Sequence, residues 1–245
     1  LVQAAAAYNI VPVTLELGGK SPQLFFEDAN LENALPFLVN AGIQNGGQTC
    51  SASSRILVHR SRYDEVIDRM SQKYQELIVR PAIDDGALGP LISERQKSIV
   101  EDFISKGQNL NLVAQGEIDG NVPENGHYVA PHLFADVSDD HILAKDEIFG
   151  PVQVIMPFDT EEEAIQIANG TDYGLVASIW TNDGARQMRL AKKLKSGQVF
   201  INNYGAGGGV ELPFGGRGFS GHGREKGFEA LFGFSTLKTV ASYHQ

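Results

Sequence analysis

Cys50 is the only cysteine among 245 residues, and it stands in Gly46-Gly47-Gln48-Thr49-Cys50-Ser51, a glycine-rich turn that closes an apolar segment. A thiol on a flexible, polar turn can be approached by a substrate, and it ionises more readily when a helix N-terminus or a positive group lies beside it. Nucleophilic catalysis is one reading of the residue; a small buried hydrophobe, the usual setting of a free cysteine, is the other. Two further patterns look like chemistry and fail on inspection. Gly19-Lys20-Ser21 resembles the end of a phosphate-binding loop, but the glycine required five residues before its Gly-Lys pair is replaced by Thr14. Gly216-Arg217-Gly218-Phe219-Ser220-Gly221 carries the spaced glycines of a dinucleotide turn, yet no apolar strand precedes it and no clear acidic residue follows about twenty positions on. The histidines (His59, His127, His132, His141, His222 and His244) show no paired ligand spacing, so no metal site is expected.

The chain that must position these residues is 42% apolar and 20% charged and is long enough to bury a large core. Lys plus Arg number 20 and Asp plus Glu 30, a net charge of −10 without any basic block, which argues against a nucleic-acid partner. No basic-then-apolar leader or 18-residue apolar run is present, so no membrane contact is expected, and one cysteine cannot close an internal disulfide; a cytoplasmic setting is the expectation. Asn169-Gly170-Thr171 fits a glycosylation sequon and is taken as accidental. Leu1 to Tyr8 reads as the tail of a helix and Val11 to Leu17 as a strand, without a start methionine or cap, which suggests a piece of a longer protein.

Helical and extended patterns alternate, which predicts an α/β architecture with a substantially parallel sheet. Tyr63, Val66, Ile67, Met70, Tyr74, Leu77 and Ile78 recur at helical spacing and predict an amphipathic helix over 62–79. Ser93 can cap a helix to about Lys106 that Gly107 ends; Thr160 and Glu163 form a capping box for a helix through Ile167; Asp183 can cap another through Leu194, ended by Gly197. Extended candidates are Arg55 to Val58, Leu110 to Ala114, Val152 to Met156, Val176 to Trp180 and Gln198 to Asn202. Beyond Asn203 glycine-rich loops take over, and the β-prone run Ser235 to Val240 is expected to pair as an edge strand of this domain or on another subunit.

Leu15-Glu16-Leu17-Gly18-Gly19-Lys20-Ser21-Pro22, Gly47-Gln48-Thr49-Cys50, Glu147-Ile148-Phe149-Gly150-Pro151, and Pro213-Phe214-Gly215-Gly216 through Ser220-Gly221-His222-Gly223-Arg224-Glu225 together resemble the NAD(P)-dependent aldehyde dehydrogenase superfamily over nearly the whole chain. The resemblance implies a layered catalytic domain over 19–218 with helices on both faces of its sheet, preceded by the end of the cofactor domain (1–18) and followed by a segment with an oligomerisation strand (219–245). It implies that Cys50 attacks an aldehyde carbon to give a thiohemiacetal and then a thioester, a division of one hard oxidation into two easier steps. Glu16 would be the general base that activates water, a task suited to a pKa raised by partial burial. Glu147 would accept hydrogen bonds from the nicotinamide ribose of NAD or NADP, with Phe149, Leu17 and Gly18 also at the cofactor. The Cys50 N–H would be one oxyanion donor, the family's second donor being an upstream asparagine. Homodimeric or homotetrameric assembly is implied as well. Ile43 departs slightly from the family pattern, and Lys20 is taken as a loop or surface lysine.

Three rivals stay open at this point. A cysteine hydrolase or acyltransferase would need a histidine base beside Cys50; a CoA-acylating aldehyde dehydrogenase would use free CoA in place of water; a scaffold would keep the fold without catalysis. Pocket candidates are Thr49, Ser51 and the loop from Tyr204 to Leu212, with the glycines at 205 to 209 leaving room for a bulky aldehyde.

Overall fold

The computed structural model describes residues 1–205 and 209–244, and in it helices and strands alternate as the pattern predicts. In chain order they are α1 (Val2–Asn9), β1 (Leu15–Glu16), β2 (Pro22–Phe25), α2 (Leu31–Ile43), β3 (Arg55–His59), α3 (Tyr63–Gln75), β4 (Ile78–Val79), α4 (Glu94–Lys106), β5 (Asn111–Gln115), β6 (Glu117–Ile118), β7 (His132–Ala135), α5 (Ile142–Lys145), β8 (Val152–Phe158), α6 (Glu161–Ala168), β9 (Val176–Trp180), α7 (Gly184–Lys193), β10 (Gln198–Ile201), β11 (Gly221–His222) and α8 (Glu229–Gly233). Seven strands form one sheet in the order β10-β9-β2-β3-β8-β7-β5, every neighbouring pair parallel except β5 with β7. The expected α/β sheet with helices on both faces is what forms.

Both faces are buried because side chains alternate along each strand. Leu24, Leu57, Val154, Met156 and Ile179 point to the side covered by α4, α5, α6 and α7, whereas Phe25, Ile56, Val58, Ile155 and Trp180 point to the side covered by α2 and α3. The caps read from sequence hold three helices in register: Ser93 Oγ accepts from Gln96 N, Thr160 Oγ1 from Glu163 N, and Asp183 from Ala185 N and Arg186 N. Glu163 turns back one residue further than a capping box requires and accepts from Asp159 N at 2.7 Å.

Several expectations are corrected. The helix predicted over 62–79 stops at Gln75, and Ile78–Val79 pairs instead with Glu117–Ile118. Of Val11 to Leu17 only Leu15–Glu16 pairs, because its partner β11 is two residues long. The run Ser235 to Val240 is exposed and forms no strand within this chain, which leaves pairing on another subunit as the remaining reading of its β propensity. The glycine run at 205 to 209 falls partly outside the described residues, at 206–208.

The sheet order explains how distant motifs meet. Gly18 to Ser21 leads into β2, the Cys50 loop leads into β3, and Glu147 to Pro151 leads into β8, and these three strands are parallel neighbours. All three loops therefore emerge at the amino ends of the strands, opposite to the carboxyl ends at which open α/β sheets usually bind ligands.

Candidate active site

Cys50 follows the C-terminal end of α2 through a turn that is built rather than loose. Asn45, Gly46 and Gly47 all have positive φ (53°, 65° and 74°), a run that glycines make accessible. Asn45 and Gln48 tie the turn by bonds from each side chain to the other's carbonyl, both 3.0 Å, and Gln48 Oε1 also accepts from Ile92 N at 2.9 Å. Gly47 has no room for a side chain, since a Cβ there would strike the Gly150 carbonyl. Cys50 itself is half-buried against Leu175, Val176, Tyr204 and Phe214, and the buried Tyr204 hydroxyl donates to the Ser51 carbonyl. The flexible turn expected from the glycines is thus a pinned one.

Glu16 faces the thiol from β1, held there by the ladder to Gly221 and by Leu17 N donating to Ser220 O at 3.3 Å. Burial raises the Glu16 carboxyl above its usual 4.5, the Cys50 thiol offsets part of this, and the charge of Glu225 adds to it; Oε1 is buried with no hydrogen-bond partner among the described residues. The thiol is pushed up to about 11, first by burial and then by the Glu16 carboxylate, with the Ser51 N–H pulling the other way. Among the described residues no helix N-terminus or cation lowers it; a thiol and a carboxylate face to face can instead share one proton.

Glu147 comes in from the loop before β8. Its Oε1 accepts from Gly19 N at 2.9 Å, and its carboxyl occupies the space a Cβ on Gly18 would fill. Burial raises its pKa, opposed by the Gly19 N–H and by Lys20. Phe149, two residues on, is 37% exposed and holds φ at 56°, a conformation that a bulky residue rarely adopts. Gln96 of α4 clamps it by donating to the Ile148 and Phe149 carbonyls at 3.2 and 3.0 Å. A narrow cleft lined by Gly19, Gly47, Thr49, Glu147 and Phe149 runs from the cysteine loop to this pair. Leu17 is 46% exposed at the same edge, beside Gly18.

The structure thus brings Cys50, Glu16, Gly18 and Glu147 together from three segments, with Phe149 at the far end of the cleft. No histidine accompanies them in the hydrogen-bond pattern of a cysteine–histidine pair among the described residues. The model of the aldehyde dehydrogenase family matches residues 1–240. The chain belongs to the aldehyde dehydrogenase family. Among curated relatives, a betaine aldehyde dehydrogenase of Rhizobium johnstonii is 40% identical over 242 residues, 98% of this chain and 50% of that protein. Among solved structures, a provisionally named aldehyde dehydrogenase from Burkholderia cenocepacia superposes with a TM-score of 0.96 at 58% identity, covering 98% of this chain and 51% of that one. The NAD+ complex of a Bacillus cereus aldehyde dehydrogenase superposes with a TM-score of 0.88 at 41% identity, covering 94% and 47%. The chain spans about half the length of the curated relatives it matches.

Within this aldehyde dehydrogenase chain, three site features went unread in the sequence. Lys20, expected as a loop or surface lysine, is 2% exposed and lies behind Glu147; its place in a strand-entry loop concealed that. Gln96 is half-buried on the same face of α4 as Val100, but nothing in its spacing points to the Phe149 loop 53 residues away. Tyr204 was visible only as a pocket candidate, while its hydroxyl supports the carbonyl next to the cysteine. No group of His, Cys, Asp and Glu suited to a metal ion occurs among the described residues, nor any helix long and apolar enough to cross a membrane.

Proposed function

We propose that this chain is the catalytic half of an enzyme that oxidises an aldehyde to a carboxylic acid with NAD+ or NADP+. The observation that carries the reading is the convergence of Cys50, Glu16 and Glu147 on the Gly18–Gly19 backbone, from loops that enter three adjacent strands. Cys50 Sγ adds to the aldehyde carbon as its proton passes to Glu16, and the substrate oxygen takes the developing charge beside the Cys50 N–H, which has no acceptor among the described residues. The nicotinamide end of the cofactor would lie along the mouth of the cleft, where the Glu147 carboxylate would offer acceptors to ribose hydroxyls and Phe149 a ring, with Leu17 and Gly18 beside them. When bound, NAD+ or NADP+ supplies the two-electron acceptor that turns the thiohemiacetal into a thioester. Glu16 passes the cysteine's proton to solvent and then takes one from a water whose oxygen bonds to the thioester carbon; the C–S bond breaks, and Glu16 returns that proton to the thiolate as the acid leaves. NAD+ is the first cofactor to test, since the Bacillus cereus and Mycobacterium tuberculosis relatives are NAD+ complexes.

Boundaries at 18/19 and 218/219 fit the ladder of β1 with β11, which lies outside the seven-stranded sheet. Ser235 to Val240, which pairs with no strand among the described residues, is available to a second copy in a homodimer or homotetramer. The test is pre-steady-state kinetics on the full-length protein with a panel of aldehydes, betaine aldehyde included. Wild type should give steady turnover, Cys50→Ala none, and Glu16→Gln a single burst of reduced cofactor followed by a slow phase. Unchanged turnover after selective alkylation of Cys50 would refute the reading, and a CoA thioester as product would move it to the CoA-acylating branch.

A further inference from the structure

Lys20 is 2% exposed, and its Nζ is buried without a hydrogen-bond partner among the described residues. It directly follows Gly19, whose N–H holds Glu147 Oε1, and its own carbonyl accepts from Arg55 Nε at 2.9 Å. Arg55 is buried too, and its other guanidinium nitrogens donate to the Ile167 and Ala168 carbonyls, both at 2.8 Å, so it takes no carboxylate for itself. Two cations thus lie buried at the starts of neighbouring strands, and the acids that face Lys20 are Asp146 and Glu147. Burial, then Arg55, lowers the lysine to about 7, while Asp146 and Glu147 act the other way.

A methionine or leucine would fill this space without burying an ammonium, so packing does not explain the lysine. Its position does. Glu147 is a half-buried carboxylate whose one backbone bond in this structure, from Gly19, must be given up or shared if it is to take ligand hydroxyls in the cleft. We propose that Lys20 is a positioning residue for cofactor binding, its buried ammonium balancing the Glu147 carboxylate as that side chain exchanges the Gly19 N–H for hydroxyls of the bound dinucleotide. This rests on the reading of Glu147 as a cofactor ligand. Lys20 touches neither the thiol nor the aldehyde; it acts through Glu147.

The experiment measures NAD+ dissociation constants by calorimetry on the full-length protein without aldehyde, for wild type, Lys20→Met, Lys20→Arg, Glu147→Gln and the Lys20→Met/Glu147→Gln double variant, with melting curves to establish folding. Lys20→Gln replaces the methionine variant if that one does not fold. Lys20→Met should weaken NAD+ about tenfold, a typical coupling between neighbouring groups. Lys20→Arg should stay within threefold of wild type, and the double variant should bind no more weakly than Glu147→Gln alone. Wild-type affinity in the folded neutral variant, or losses that simply multiply in the double variant, would overturn the role of Lys20. If Glu147→Gln itself binds NAD+ as wild type does, the underlying reading of Glu147 fails instead, so the two failures are told apart.

Discussion

A thiol at about 11 is ionised to only about one part in ten thousand at pH 7, so Cys50 depends on where its proton goes. Glu16 both opposes thiolate formation by its charge and stands ready to take the proton, and the two effects can be separated. Glu16→Gln removes the charge, so the Cys50 pKa should fall and alkylation by iodoacetamide at pH 8 should become faster; thioester hydrolysis should become slower by roughly 10²–10⁴, the usual worth of a general base. Slowing of both rates would contradict this pairing. The sign of the pH dependence follows from the raised Glu16 carboxyl: the base form is lost as pH falls, so hydrolysis should decline at a pH above the usual 4.5 of a glutamate. Tyr204→Phe tests the other support of the Cys50 turn. It keeps the ring and removes the bond to the Ser51 carbonyl, so about 1 kcal/mol of stability should be lost in a melting curve. A fall in kcat larger than that in kcat/KM for NAD+ would show that the loop, and not the cofactor end, has moved.

At the scale of elements, the site depends on loops that enter β2, β3 and β8 and touch one another through glycines. Gly47→Ala places a methyl against the Gly150 carbonyl at a positive φ, so it should destabilise by more than about 1 kcal/mol and lower kcat by shifting the cysteine turn; melting and turnover measured on one preparation check both. The sequence made elements legible where a local signal agreed with burial: Ser93, Thr160 and Asp183 mark the starts of α4, α6 and α7 because each cap's bond lies within three residues. It hid elements whose evidence is tertiary. In α2, Pro36 sits within the helix and masks a buried face of Leu31, Ala34, Leu35, Leu38 and Val39 at helical spacing. In β2, four residues beginning with a proline carry no strand signal of their own, although neighbours on both sides bury them. The motifs at Glu16, Cys50 and Glu147 were legible as strings; that they share one end of the sheet follows only from the strand order. Lys20 shows the same limit, since its burial is set by Arg55 and Glu147, 35 and 127 positions away.

At the scale of the molecule, apolar side chains are distributed unevenly. The seven-stranded sheet is covered on both faces, whereas Tyr8, Ile10, Phe228, Phe232, Phe234, Leu237, Val240 and Tyr243 are each at least 80% exposed, all in segments outside that sheet. Curated relatives are about twice as long, and exposed apolar surface of this kind marks a face suited to a further segment or a second copy. Expressed alone, the 245 residues should fold around the sheet yet bind an apolar dye and self-associate, the more so as salt screens the net charge of −10. They should give no NAD+-dependent rate, since the resemblance implies that the second oxyanion donor and the rest of the cofactor domain lie upstream. Deleting 234–245 removes four of these side chains, Phe234, Leu237, Val240 and Tyr243, while breaking no ladder bond. Dye binding and light scattering should therefore drop while the main melting transition stays in place, because the core between α2, α3 and the sheet contains none of those residues. A transition that moves with the deletion would mean that the terminal segment is part of the folding unit; a monodisperse, dye-silent chain would mean that these side chains are already satisfied within it.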